Sequence, residues 1–188
     1  MVKNKNFLMA EAGINHNGNL KTALKLIDTA KKSGADAIKF QTYITEKRVN
    51  KKYHKIFDIL KECELPFKSF KILNDYCKKK EIDFFSTPFD IESVNFLESI
   101  NVKIFKVASF DIGNFELINE IIKTKKKTII STGMASYNEI KKVYKKFKEK
   151  KVDISSYLEV VPLNSKIKLG NFEIDFVTLT HSILESNG

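Results

Sequence analysis

Five times in the first 150 residues, a short apolar run ends in polar residues and gives way to an amphipathic helical stretch. That rhythm restricts the fold more than any other feature of the chain. Strands joined through helices by short connections pair in parallel with right-handed crossovers. The apolar runs are residues 7–13, 35–41, 82–86, 102–107 and 128–131. Between them lie helical stripes. Leu20, Ala23, Leu24, Ile27 and Ala30 follow Asn19, a residue suited to cap a helix. Phe70, Leu73 and Cys77 follow Pro66, and Val94, Leu97 and Ile100 follow Asp90. Leu117, Ile118, Ile121 and Ile122 follow Asn114, and the capping box Ser136–Glu139 opens a helix with Ile140, Val143, Tyr144 and Phe147 inward. Residues 42–54 are expected as a longer polar loop of the kind that covers a ligand, before a short helix marked by Ile56, Ile59, Leu60 and Cys63.

The fold class this predicts is α/β. About five parallel strand–helix units in sequence suggest a barrel rather than an open sheet. A closed TIM (β/α) barrel needs eight units and typically about 250 residues, so 188 residues predict an incomplete one occupying residues 1–150. After Lys151 the rhythm ends. Residues 157–161, 166–169 and 172–180 read as strands, with Gly170-Asn171 as a tight turn between the last two. Residues 151–188 are therefore expected as a second, β-rich region with an antiparallel hairpin.

The chemistry is carried at the ends of the strands. Side chains alternate along a strand, so Lys39 and Gln41 point the same way. Lys106 and Ser109 recur at the end of the fourth run, Ser86-Thr87-Pro88 at the third, Ser131-Thr132-Gly133 at the fifth and Glu11 at the first. In a barrel these residues share the mouth at the strands' carboxyl ends. Two ammonium groups beside hydroxyls suit an anionic ligand, although strand-end lysines can also snorkel to solvent. His16 reads as a turn residue. Net charge is +10 and Arg48 is the only arginine among 33 basic residues. Scattered lysines with no arginine forks describe a solvated surface and argue against a nucleic-acid reader. Cys63 and Cys77 read as reduced structural thiols. No apolar run spans a bilayer and the first residues lack a signal-peptide pattern, so no membrane and a cytoplasmic location are expected.

The motifs Glu11-Ala-Gly-Ile-Asn-His-Asn-Gly18, Gly34-Ala-Asp-Ala-Ile-Lys-Phe-Gln41, Ser86-Thr-Pro-Phe-Asp90, Lys106-Val-Ala-Ser109 and Ser131-Thr-Gly-Met134 together resemble the sialic acid (N-acetylneuraminate) synthase family. The resemblance covers residues 6–147. It implies a TIM-barrel transferase that condenses phosphoenolpyruvate with N-acetylmannosamine or a related amino sugar, using manganese or magnesium. It implies that Lys39 and Lys106 hold the phosphate and carboxylate, that Thr87, Ser109, Ser131 and Thr132 donate hydrogen bonds to them, and that Glu11 and Gln41 face the sugar and the reacting carbons. It also implies a homodimer in which the partner supplies an arginine from an antifreeze-like domain. The family's two metal-binding histidines lie on strands beyond the fifth, so the divalent metal has no ligands in this sequence, and weak or absent synthase activity is expected.

The tail from Lys166 to Ile183 resembles a segment of ribonuclease J, a metallo-β-lactamase-type nuclease, in which His181 matches one zinc ligand. The nuclease's main ligand cluster has no counterpart here. Two rival expectations follow: an RNA-binding module, from the charge and the tail, or a non-catalytic fragment.

Overall fold

The computed structural model describes residues 7–150 and, beyond them, the backbone of two strands. The chain divides into two compact units, Met1–Ser155 and Ser156–Gly188. The first contains one sheet of five strands: β1 (Met9–Gly13), β2 (Ala37–Thr42), β3 (Asp83–Pro88), β4 (Ile104–Val107) and β5 (Lys127–Ile130). They lie in the order β1-β2-β3-β4-β5, and every adjacent pair is parallel. The order never turns back on itself. Right-handed crossovers that always step the same way leave the helices on one face, as in a barrel wall.

Those helices are α1 (Leu20–Lys32), α2 (Thr45–Arg48), α3 (His54–Cys63), α4 (Phe67–Lys79), α5 (Ile91–Ser99), α6 (Phe115–Lys123) and α7 (Tyr137–Glu149). Side chains capable of capping start four of them. Asn19 accepts from Thr22 N at 3.1 Å, Asp90 from Ser93 N at 2.7 Å and Asn114 from Leu117 N at 3.2 Å, while Ser136 and Glu139 close a reciprocal box. The buried stripes, such as Ala23, Ile27 and Ala30 of α1, meet Ile38, Phe40, Phe84, Phe105 and Val107 from the sheet in one core. Burying each large aliphatic or aromatic side chain contributes about 1.5–3 kcal/mol. A smaller cluster of Tyr43, Leu60 and Phe89 lies apart from that core.

The structure corrects the expectation of a loop at 42–54, because α2 occupies Thr45–Arg48. One turn is too short to show a helical period in sequence. Its backbone is instead held from outside: Ile44 N donates to Asp90 Oδ2 at 2.8 Å and Thr45 N to Glu64 Oε2 at 3.0 Å. Gly18, with φ of +66°, lies so close to α3 that a Cβ there would collide with the Glu62 carbonyl oxygen. In the second unit, β6 (Lys166–Leu169) and β7 (Phe172–Asp175) pair antiparallel, Leu169 opposite Phe172. The strand expected at 157–161, the Gly170-Asn171 turn, the extension to 180 and His181 lie outside the described residues.

Candidate functional site

Alternation along β2 decides which side chains reach the core and which do not. Ile38 and Phe40 belong to the core, and Phe40 stacks on Phe84 at 5.8 Å. Thr42 joins them by a 2.8 Å hydrogen bond to Ser86. Lys39 and Gln41 therefore point to the sheet's other face. Lys39 is 3% exposed. Its Nζ lies 2.8 Å from Glu11 Oε1 and donates to Thr87 Oγ1 at 3.2 Å. The Glu11 side chain itself is 59% exposed, so its carboxylate meets both solvent and a buried cation. A register shift between Glu11 and Gly13 interrupts the β1–β2 ladder here, a feature that re-aims side chains.

On β4 the same alternation puts Phe105 and Val107 in the core and Lys106 on the opposite side. Lys106 Nζ donates to Ser131 Oγ at 2.7 Å. Ser131 continues β5 by one residue, because its N–H donates to the Val107 carbonyl at 3.1 Å. Burial holds the Lys106 ammonium below the usual lysine range; the positive charge of Lys39 pushes it the same way and Glu11 opposes. The two ammonium groups thus act on each other from different strands. Among the described residues Lys106 forms no ion pair of its own, and Glu11 is the only carboxylate paired with Lys39. Two lysines and one carboxylate leave an uncompensated positive charge, which an anion would neutralise.

Ser109 opens a 3-10 turn at Ser109–Asp111, and Thr132 follows Ser131; both are half-buried. The structure brings Glu11, Lys39 and Thr87 into one contact network and Lys106 and Ser131 into another, and among the described residues no side-chain hydrogen bond ties Ser109 or Thr132 to either. Gln41 has a partner that sequence reasoning missed. Arg48 Nη1 donates to Gln41 Oε1 at 3.1 Å, and the guanidinium lies 3.7 Å from the Phe89 ring centroid and 4.6 Å from that of Tyr43. Its one signal in the sequence was being the sole arginine. Tyr43, pushed up to about 12 chiefly by burial, stays neutral and donates to the Leu60 carbonyl at 2.8 Å. Asp111 carries a buried Oδ2 without a partner among the described residues, and burial pushes its carboxyl up to about 6 against the pull of Arg48. His16 is buried, its Nδ1 accepts from Gly18 N at 3.2 Å, and burial keeps it neutral, as a turn residue. Among the described residues no group of three His, Cys, Asp or Glu side chains could hold a metal ion. Among them, too, no helix is long and apolar enough to cross a membrane.

Comparison with known proteins shows what the chain resembles. A model of the NeuB family matches residues 26–158, a span that holds every candidate residue above except Glu11, His16 and His181. The N,N'-diacetyllegionaminic acid synthase of Campylobacter jejuni is 41% identical over 149 residues, covering 72% of this chain and 45% of that protein. The crystal structure of N-acetylneuraminic acid synthetase from Leptospira borgpetersenii, in complex with citrate, superposes with a TM-score of 0.75 at 41% identity, covering 77% of this chain and 50% of that one. A truncated 3-deoxy-D-arabino-heptulosonate 7-phosphate synthase from Thermotoga maritima shares the fold alone, with a TM-score of 0.57 at 11% identity. The chain spans about half the length, or less, of the relatives it matches.

Proposed function

This chain belongs to the NeuB family, and from that membership we propose that its strand-end mouth binds phosphoenolpyruvate for condensation with N-acetylmannosamine or a related amino sugar. The product is a sialic acid-type nonulosonic acid. One observation carries the reading: two ammonium groups, on β2 and β4 either side of β3, each held by a hydroxyl, Lys39 to Thr87 and Lys106 to Ser131. A phosphate dianion and a carboxylate need two cations and several donors, and charge-assisted hydrogen bonds are the strong ones. In this reading Ser109 and Thr132, which follow β4 and β5 in the chain, supply further hydroxyls.

In this reading, C3 of the enol attacks the aldehyde carbon of the open-chain sugar, and the aldehyde oxygen takes a proton from solvent as its C=O bond opens to a hydroxyl. C2 becomes cationic, water adds there and phosphate leaves. The Lys39 and Lys106 ammonium groups hold the anionic groups through that change and stabilise the departing phosphate. Glu11, exposed and tied to Lys39, faces C2, where its carboxylate stabilises the cation and takes a proton from the water. Gln41 meets the sugar. The family's chemistry also implies a divalent cation, manganese or magnesium. Among the described residues no cluster of three His, Cys, Asp or Glu side chains could hold one. The amino sugar and a homodimeric assembly rest on family membership.

Isothermal titration of the chain with phosphoenolpyruvate tests the proposal. Binding is expected, with Lys39→Ala and Lys106→Ala each weakening it about 10- to 100-fold, the worth of one hydrogen bond to a charged group. No heat, or heat indifferent to both substitutions, rejects the site.

A further inference from the structure

Arg48 closes α2 above the end of β2, and its position is over-determined. Its guanidinium rests against the rings of Phe89 and Tyr43, and Nη1 donates to Gln41 Oε1 at 3.1 Å. A guanidinium offers donors and no acceptor. The Gln41 carboxamide must therefore turn its oxygen to Arg48 and its nitrogen away. That nitrogen lies on the Gly13 side: a methyl group on Gly13 would sit 3.8 Å from Gln41 Nε2 and 3.4 Å from Glu11 Oε1. The amide N–H groups are thus presented beside the Glu11 carboxylate, at the mouth. Among the described residues Arg48 forms no ion pair, and the one carboxylate that acts on it through charge is that of Asp111.

We propose that Arg48 is a positioning residue, which fixes the Gln41 carboxamide as a hydrogen-bond donor toward the mouth and so selects an acceptor oxygen of the amino sugar, a hydroxyl or an N-acyl carbonyl, as the atom met there. The inference rests on the phosphoenolpyruvate and amino sugar reading above. A lysine at position 48 would keep the charge but lose both the flat stacking surface and the forked donors.

The test is a titration of the full chain with phosphoenolpyruvate, then of the loaded chain with N-acetylmannosamine. Arg48→Ala is expected to leave the phosphoenolpyruvate Kd within about twofold, as a site outside that contact network should, and to weaken the sugar about tenfold, the value of an oriented hydrogen bond. Arg48→Lys is expected not to restore it. On a Gln41→Ala background, Arg48→Ala is expected to cost nothing further, because the two substitutions remove one interaction. Equal losses with and without Gln41, or restoration by lysine, overturn the positioning role. So does a chain that binds phosphoenolpyruvate but no sugar. A chain that binds neither ligand fails the underlying reading instead. The side-chain amide signal of Gln41 in a ligand-free NMR spectrum then decides the role of Arg48. A signal that Arg48→Ala shifts, with the β2 backbone amides unmoved, supports the inference, and an unshifted signal overturns it.

Discussion

A half-buried ammonium beside a second ammonium is held charged only at a cost, and Lys106 stands in that position. Its folded-state value lies below the ordinary 10.5, chiefly through burial and then through Lys39. Between the two values the unfolded chain binds more protons, so this residue makes stability rise with pH there. In the proposed site binding runs the other way: phosphoenolpyruvate would need the charged form, so affinity is expected to fall as pH rises through the lowered value. Lys39→Gln removes the one charge that lowers it, and the fall in affinity is expected to move to higher pH in a series of titrations. Asp111 has the opposite sign. Its carboxyl is raised from 3.8 to about 6, so the folded chain keeps a proton that the unfolded chain has lost, and stability falls as pH rises across that interval. Asp111→Asn is expected to flatten that interval and to be the more stable protein at pH 7 by urea unfolding. Lys39, Gln41 and Lys106 were legible in the sequence because strand alternation alone sets their side of the sheet. Arg48 was not, because its partners Gln41, Tyr43 and Phe89 come together only through the tertiary path of α2.

At the scale of elements, the caps were legible and the loop was not. Asn19, Asp90, Asn114 and Ser136 announce their helices because a short polar side chain before an apolar stripe has one economical use. Asp90 does more than the sequence shows. One oxygen caps α5 through Ser93 N and the other accepts Ile44 N at the root of α2. Asp90→Ala is therefore expected to cost about 2–4 kcal/mol, a lost cap plus an orphaned buried N–H, whereas an ordinary cap substitution costs about 1 kcal/mol. Chemical denaturation measures the difference. It should also loosen Arg48, since α2 loses one of its two anchors. Glycines give a second comparison. Gly34 has φ of +81° with open space around it, so Gly34→Ala carries only backbone strain, roughly 1 kcal/mol. Gly18→Ala adds a collision with the backbone of α3 and is expected to be clearly the more destabilising in the same assay.

For the whole molecule, the strand–helix rhythm carried the strand order. Five parallel strands lie in strict sequence order even though three helices separate β2 from β3, and the sheet found is the one that the pattern implies. What sequence pattern could not give is how the two lysines interact across the sheet, because that depends on distances between β2 and β4 that no local period encodes. A chain with net charge +10 also draws anions from a distance. Added salt is expected to slow the association of phosphoenolpyruvate more than it weakens the partly buried contacts themselves, a separation that stopped-flow binding resolves. The most direct measurement of all is the crystal structure of the chain grown with phosphoenolpyruvate. The expected result is a ligand whose phosphate and carboxylate lie within hydrogen-bond distance of both Lys39 Nζ and Lys106 Nζ, with the Thr87 and Ser131 hydroxyls turned to it. A ligand bound elsewhere, or touching only one of the two lysines, contradicts it.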